Sequence, residues 1–151
     1  KIATVIKHIP GHGLSKSDSH YKTPMIRASK KELFKKDFKP FKTNKSLFAM
    51  TAHVIYSKYD SQNTATHSKI IIKEVIRNYM NFKGILMSDD ISMKSLIYNL
   101  EENALKALNA GCNLVLHCNG NIREMSKLIK VIPSIDKFTQ KKTSQFYKFL
   151  R

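Results

Sequence analysis

Cysteine is scarce in this chain of 151 residues, and long apolar runs are absent. The two cysteines, Cys112 and Cys118, are too few for a disulfide scaffold or a four-ligand zinc site. No run reaches about 18 apolar residues, which excludes a transmembrane helix. Residues 1–6 offer neither the apolar stretch nor the cleavage site of a signal peptide. We therefore expect a protein of the reducing cytoplasm.

Arginine and acidic residues are also scarce. The chain has 27 basic residues, of which 4 are arginine, against 11 acidic residues, and its formal net charge is +16. Arginine is the preferred residue for bidentate contacts to phosphate and guanine, and the lysines are scattered, with the densest group in residues 30–45. We therefore expect no specific nucleic-acid partner and no membrane partner, and we keep a basic binding module as an alternative.

Hydrophobic residues make up 42% of the chain, which suits one domain with a real core. Short apolar runs predict buried strands at residues 2–9, 47–56, 84–87 and 113–118. Amphipathic stretches between them predict four helices: one capped by Ser29, one capped by Thr66, one over residues 96–109 that stops at Gly111, and one from near Asn121 to before Pro133. This alternation predicts an α/β fold with a parallel sheet, followed by a polar tail over residues 134–151 that has room for one more helix.

Reactive side chains fall where the predicted strands end. These residues are Lys7 and His8, then His53, then Ser88, Asp89 and Asp90, and finally Cys118 and Asn119. The carboxyl ends of parallel strands are where α/β proteins place their active sites. The glycine-containing turn at residues 10–13 leads into a polar loop and not directly into a helix, so it is a poor fit to a dinucleotide site.

The loop of residues 10–24 is long for a connection between a strand and a helix, and such loops are often lids. Gly11 and Gly13 leave its base flexible. Asp18 and His20 are two residues apart, so the carboxylate can hydrogen-bond the imidazole, fix its tautomer and raise its basicity. We therefore expect this loop to transfer protons.

Several motifs together resemble the β-N-acetylhexosaminidases of glycoside hydrolase family 3. They are Lys7-His8-Ile9-Pro10-Gly11-His12-Gly13, Asp18-Ser19-His20, Thr23-Pro24, Glu32-Leu33 with Asp37 and Pro40-Phe41, Ala52-His53-Val54-Ile55-Tyr56, Gly84 through Met93 with Ser88-Asp89-Asp90 at its centre, and Ala110-Gly111-Cys112. The similarity covers roughly residues 1–120 in the order of the family. It departs from the family pattern at Thr51, where a proline commonly precedes Ala-His, and at Asn81, which replaces a glycine.

The resemblance implies a retaining exo-β-N-acetylglucosaminidase that removes terminal N-acetylglucosamine from peptidoglycan fragments during cell-wall recycling in the cytoplasm. It makes Asp89 the nucleophile that forms the glycosyl-enzyme. His20 is then the general acid/base, oriented by Asp18, where most retaining glycosidases use a second carboxylate. Lys7 and His8 are expected to bind sugar hydroxyls, and Lys7 to favour the ionised form of Asp89.

Three other residues or groups are open to more than one interpretation. His53 either lines the sugar pocket or is a hydrogen-bonded histidine at a strand end, and we count it among the substrate-binding candidates. Asp90 is expected to cap the following helix. His8, His12, Asp18 and His20 have zinc-binding side chains, but their spacing spans a flexible loop, so we expect no metal and no cofactor.

A (β/α)₈ barrel takes about 250 residues, and four β-α units take about half of that. The resemblance therefore implies that residues 1–133 form the C-terminal half of such a barrel, strands five to eight, with the tail after it. The expected partners are the muropeptide substrate and the missing N-terminal half of the barrel. The chain is then a fragment of a longer enzyme, one product of a split gene, or an inactive remnant.

Overall fold

The structure is a computed structural model that describes residues 2–43 and 46–150. Its strands are β1 (Val5–Ile9), β2 (Met25–Ile26), β3 (Phe48–Thr51), β4 (Ile55–Tyr56), β5 (Ile85–Asp90) and β6 (Leu114–Leu116). Its α-helices are α1 (Lys30–Leu33), α2 (Lys39–Lys42), α3 (Leu100–Ala110), α4 (Ile122–Val131) and α5 (Lys137–Leu150), and two π-helical segments cover Phe34–Phe38 and Ile71–Tyr79. No helix within these ranges is long and apolar enough to cross a membrane.

Four of the strands form one parallel sheet in the order β1-β3-β5-β6, which confirms the predicted α/β class. The register pairs Phe48 with Ile85 and Met87 with Leu114. Because all four strands run the same way, their carboxyl ends lie along one edge of the sheet. The two-residue strands β2 and β4 form a separate parallel pair, which the apolar pattern did not predict.

The two faces of the sheet differ in how well they are covered. Ala49, Thr51 and Leu86 are fully buried, and the core that contains Ala49 and Leu86 also includes apolar side chains from α1, α3 and both π-helical segments. Side chains that alternate with them, such as Met50 and Met87, are only half-buried. Since successive strand residues point to opposite faces, the helices cover one face, and Asp89 belongs to the more open face with Met87.

Two of the predicted helix starts are wrong. The second helix is not capped by Thr66: the Ser68 hydroxyl accepts the N–H of Ile71 instead, at 3.2 Å. The third helix begins at Leu100, with Asn99 as its cap, and not at residue 96. It ends as predicted at Gly111, where φ is +119°. Ser29 and Asn121 cap α1 and α4 as expected.

The amino-terminal end of the sheet is closed by the C-terminal segment. In α5, the Phe146 ring packs edge-on against Phe48, with 4.9 Å between ring centroids. The side-chain amide of Asn113 donates to the Thr139 hydroxyl at 3.0 Å. The tail is therefore packed against the sheet, and the opposite edge carries the candidate site.

Candidate active site

His8 at the end of β1 and Asp89 near the end of β5 come together at the carboxyl edge of the sheet. The His8 Nε2 lies 3.4 Å from Asp89 Oδ2. The other oxygen, Asp89 Oδ1, accepts the backbone N–H of Asp90 at 2.8 Å. The Asp89 side chain is 18% exposed and that of His8 is 32% exposed. One carboxylate oxygen is thus held by the backbone, and the other faces the partly exposed imidazole of His8.

Burial lowers the pKa of His8 below its ordinary value of 6.5, and the nearby Asp89 carboxylate opposes this shift. The charges of Lys7, His12 and His20 lower the pKa of His8 further. The His8 imidazole is therefore neutral at neutral pH. A neutral imidazole can donate one hydrogen bond and accept another, which is what recognition of a sugar hydroxyl requires.

Lys7 also lies at this edge of the sheet, but its side chain is exposed. Its charge acts on the neighbouring His8. Among the described residues, Lys7 forms no ion pair with Asp89. Direct support of the Asp89 charge by Lys7 therefore stays a prediction.

His53, just after β3, is buried beneath the strand ends, with 1% of its surface exposed. Its Nε2 lies 3.0 Å from the carbonyl oxygen of Asp90, and its Nδ1 lies 2.7 Å from the Thr66 hydroxyl. Both ring nitrogens are therefore occupied by protein groups, and burial lowers the pKa of His53. In this structure His53 is a hydrogen-bonded histidine at a strand end, and its contact with a sugar stays a prediction.

The Asp90 carboxylate accepts hydrogen bonds from two nearby loops. Its oxygens accept the Ser92 N–H at 3.0 Å and the Ser92 hydroxyl at 2.8 Å. The Cys118 N–H, from the loop after β6, lies 3.3 Å from Asp90 Oδ1. Asp90 therefore caps a turn after β5 and joins it to the neighbouring loop, whereas we expected it to cap a helix.

The predicted Asp18–His20 pair is present. The Asp18 Oδ1 lies 2.7 Å from His20 Nδ1 and accepts the His20 backbone N–H at 2.9 Å. These two hydrogen bonds lower the pKa of Asp18. The His20 side chain is 73% exposed, and no ion pair or hydrogen bond joins it to Asp89 in the described residues. His20 Nε2 is therefore left free for a substrate atom.

The tip of this loop, residues 15–22, is hereafter called the flap. The Tyr21 and Lys22 N–H groups donate to the Asp18 carbonyl within the flap, at 3.3 and 3.4 Å, and the Ser15 N–H donates to the His12 carbonyl at its base, at 3.0 Å. A hollow of about 630 Å³ lies against it, lined on the flap side by residues such as Lys16 and Lys22 and on the other side by Arg27 and Glu32. Because the flap is not packed against the body on that side, it has room to move.

The base of the flap is fixed by residues that the sequence analysis did not assign. Asp37, from a π-helical segment, is 4% exposed, and its Oδ1 accepts the Leu14 N–H at 3.2 Å. The Tyr56 hydroxyl donates to the Gly11 carbonyl. A Cβ atom on Gly11 would lie 2.6 Å from the Cβ of Asp37, so only glycine fits this contact. Both Asp37 and Tyr56 belong to the motifs that carry the family resemblance, and this was the one indication in the sequence that they matter.

A second imidazole–carboxylate pair was also missed. His117, directly after β6, places its Nε2 2.6 Å from Glu124 Oε2, and the same oxygen accepts from the Asn119 amide at 2.8 Å. His117 lies near the end of the fourth predicted strand, as His8 does in the first. Within the described ranges, no group of three or more His, Cys, Asp or Glu side chains is placed to hold a metal ion.

These features define an α/β protein that carries its polar site at the carboxyl ends of parallel strands. The sequence model of the Glycosyl hydrolase family 3 N terminal domain matches residues 1–146, and the chain belongs to this family. The matched model is that of the N-terminal domain, so our assignment of the chain to a C-terminal half is corrected: it lies in the N-terminal domain.

Comparison with individual proteins gives the same result. The beta-hexosaminidase of Haemophilus influenzae is 43% identical over 140 residues, which is 89% of this chain and 38% of that protein. The crystal structure of CbsA from Thermotoga neapolitana superposes with a TM-score of 0.80 at 34% identity, over 97% of this chain and 37% of that one. NagZ from Neisseria gonorrhoeae, solved in complex with N-trifluoroacetyl-D-glucosamine, gives 0.79 at 29% identity, over 93% and 41%. The chain thus spans under half the length of each of these relatives.

Proposed function

We propose that this chain provides the catalytic residues of a retaining exo-β-N-acetylglucosaminidase. The observation that carries the proposal is the meeting of His8 and Asp89 at the carboxyl edge of the sheet, 3.4 Å apart, beside a flap that carries a hydrogen-bonded Asp18–His20 pair. The names of the relatives support a hexosaminide as substrate, and the glucosamine derivative bound by the gonococcal protein supports an N-acylated sugar.

In this proposal Asp89 is the nucleophile. Its Oδ2 attacks the anomeric carbon while the bond from that carbon to the leaving oxygen breaks. The hydrogen bond from Asp90 N–H to Asp89 Oδ1 leaves Oδ2, the oxygen that faces His8, for the attack. His8, neutral and beside that oxygen, is placed to bind a hydroxyl of the same sugar, and we propose the same for Lys7.

His20 is the proposed acid/base. Its Nδ1 is held by Asp18, so the protonated Nε2 delivers the proton to the leaving oxygen when the flap closes. In the second half-reaction the neutral Nε2 takes a proton from water, whose oxygen attacks the anomeric carbon and releases Asp89. Each proton therefore returns to its starting place in one turnover.

We also propose that the four parallel strands are part of a (β/α)₈ barrel, completed by protein outside this chain. The half-exposed Met50 and Met87 on the uncovered face support this, because the interior of a complete barrel is filled with side chains. Peptidoglycan fragments as the substrate and the cytoplasm as the location remain part of the proposal, as does a boundary near residue 133 between the barrel segment and the tail. An inactive or partner-dependent fragment and a basic binding module remain the alternatives.

The experiment is hydrolysis of a chromogenic N-acetyl-β-glucosaminide by the chain, alone and co-expressed with the remaining part of the Haemophilus influenzae relative. We expect turnover in the combined sample, and a loss of at least roughly 10³-fold in Asp89→Asn, which keeps the shape of the side chain but cannot form the glycosyl-enzyme. The matched control is Asp136→Asn, the same change in the C-terminal segment, where Asp136 Oδ1 accepts the Thr139 N–H at 2.6 Å, and it should leave turnover unchanged. Turnover that survives in Asp89→Asn contradicts the assignment of the nucleophile.

A further inference from the structure

A buried chain of hydrogen bonds runs from β3 to the backbone of the candidate nucleophile. The Thr51 and Thr66 hydroxyl oxygens are 2.8 Å apart, and Thr66 Oγ1 lies 2.7 Å from His53 Nδ1. His53 Nε2 lies 3.0 Å from the carbonyl oxygen of Asp90. Neither threonine is exposed to solvent at all, so no water competes for these contacts.

The direction of each hydrogen bond in this series follows from the last acceptor, the Asp90 carbonyl. A carbonyl oxygen only accepts, so His53 Nε2 carries a hydrogen. Burial keeps the ring neutral, which leaves Nδ1 as an acceptor. The hydroxyl of Thr66 must then donate to Nδ1, and since that uses its only hydrogen, the Thr51 hydroxyl must donate to Thr66.

Two neighbouring groups are compatible with this order. The Ala52 carbonyl is another acceptor for the Thr66 hydroxyl, but at 3.3 Å it is farther away than His53 Nδ1. Burial raises the pKa of the Cys112 thiol to about 12, so the thiol keeps its hydrogen and faces the Thr66 carbonyl at 3.9 Å. Neither group takes the hydrogen that Thr66 gives to His53.

At the other end, this series of hydrogen bonds reaches the backbone that holds Asp89. The Asp90 peptide groups are held on both sides: the carbonyl by His53, and the N–H by Asp89 Oδ1 at 2.8 Å. A change in the donor on His53 therefore changes the orientation of the backbone that fixes the Asp89 carboxylate. On its other oxygen, the Asp89 carboxylate faces His8 Nε2 at 3.4 Å.

We propose that Thr51 and Thr66 are positioning residues: through His53 they fix the Nε2–H tautomer that holds the Asp90 carbonyl, and so they set the direction of Asp89 Oδ2. The importance of that direction rests on the proposed function, whereas the tautomer and the relay do not. Thr51 is the outermost donor of the relay, and it stands where the family pattern commonly has proline, which has no hydroxyl.

The test is ¹⁵N and ¹³C NMR of the labelled chain, with the His53 ring nitrogens and the Asp89 carboxyl carbon as probes. We expect Nε2–H with an accepting Nδ1 in the unaltered chain. In Thr66→Val the Nδ1 resonance should move toward that of a nitrogen without a hydrogen bond, and the Asp89 carboxyl carbon should shift with it. Thr51→Val should cause smaller shifts of the same sign, and Thr66→Ser should restore the original values.

Thr64→Val is the matched control, because the Thr64 hydroxyl is buried, comes from the same segment and has no hydrogen-bond partner in the structure. It should leave both probes unchanged. If Thr66→Val does not fold, Thr51→Val and Thr66→Ser carry the test. A hydrogen on Nδ1 in the unaltered chain overturns the proposal, and so does an Asp89 signal that moves as much in Thr64→Val as in Thr51→Val.

An activity measurement on the combined sample adds a second readout. Thr51→Val should lower kcat by roughly tenfold and leave KM unchanged, since a misdirected nucleophile slows the reaction without removing a substrate contact. An unchanged kcat in Thr51→Val overturns the positioning role. If the unaltered combined sample does not hydrolyse the substrate, the proposed function fails, and the NMR shifts still decide on the relay.

Discussion

The two halves of the candidate site are built in opposite ways. The strand-end half, made of Asp89, Asp90 and His53, is held by hydrogen bonds to buried groups, and the second Asp89 oxygen faces His8 at 3.4 Å. The flap half places Asp18 and His20 in solvent, where they pair with each other, and among the described residues no ion pair joins either of them to another side chain of the site. The first half has its geometry before any ligand arrives, and the second does not.

This difference matches the demands of the proposed reaction. A nucleophile gains from a fixed direction of attack, which a strand end supplies. An acid that must meet the leaving oxygen after the substrate has entered needs a path of approach, which a loop with a fixed base supplies. Comparison of the two halves therefore predicts that changes in the flap affect turnover without affecting stability, while changes behind the strand ends affect both.

Within the flap, the largest expected effect is that of His20. His20→Ala should lower turnover of the combined sample by about 10²-fold or more, because general acid–base catalysis contributes that much. Its melting temperature should stay the same, since the His20 side chain is 73% exposed. The matched control is Tyr21→Ala, the adjacent flap residue with 77% exposure, which should change neither quantity. A fall in melting temperature in His20→Ala would mean that the flap is packed and not free.

The sequence predicted the strand-end half better than the connections around it. Asp89 and His8 were placed correctly because apolar runs reveal where buried strands end, and parallel strands end together. Thr66 was taken for a helix cap because a threonine before an amphipathic stretch satisfies the local rule. Its actual partner, His53, is 13 residues away, and no local pattern connects the two.

The flap was likewise predicted only where its contacts are local. The Asp18–His20 pair is separated by two residues, so the spacing alone brought it out. The support at its base was missed because Asp37 touches Gly11 across 26 residues of chain, and Tyr56 reaches Gly11 from a two-residue strand with no periodic signal. Tertiary packing of this kind is what a single sequence does not display.

A half-buried histidine extends the comparison to pH. His67, next to Thr66, donates from Nε2 to the Asn103 carbonyl at 3.1 Å, and burial lowers its pKa from 6.5 to about 4. Between these two values the unfolded chain binds the proton more tightly than the folded chain, so stability falls as the pH drops from 6.5 toward 4. The His67 share of that loss is roughly 3 kcal/mol.

The measurement is urea unfolding of the chain at a series of pH values between 4 and 7. His67→Gln should make the profile less steep over this range, because one of the titrating groups is gone, while His8 and His53 keep their lowered pKa values. His20→Gln, in the exposed flap, should leave the profile as steep as before. Equal flattening in both variants would show that the two histidines share one environment, against the contrast drawn above.

The smallest expected effect lies at the base of the flap, where Gly11 contacts Asp37. Gly11→Ala places a Cβ 2.6 Å from that of Asp37 on a backbone with φ of +148°, so the joint must shift and the Leu14 N–H bond to Asp37 should loosen. Gly120→Ala is the control, since its φ is also positive, at +69°, and no atom lies within 4 Å of the new Cβ. Gly11→Ala should lose about 2 kcal/mol more than the control in urea unfolding, and its Leu14 amide hydrogen should exchange faster. Equal losses of unfolding free energy in the two variants would mean that only backbone strain is responsible. The contact between Gly11 and Asp37 would then not stabilise the flap.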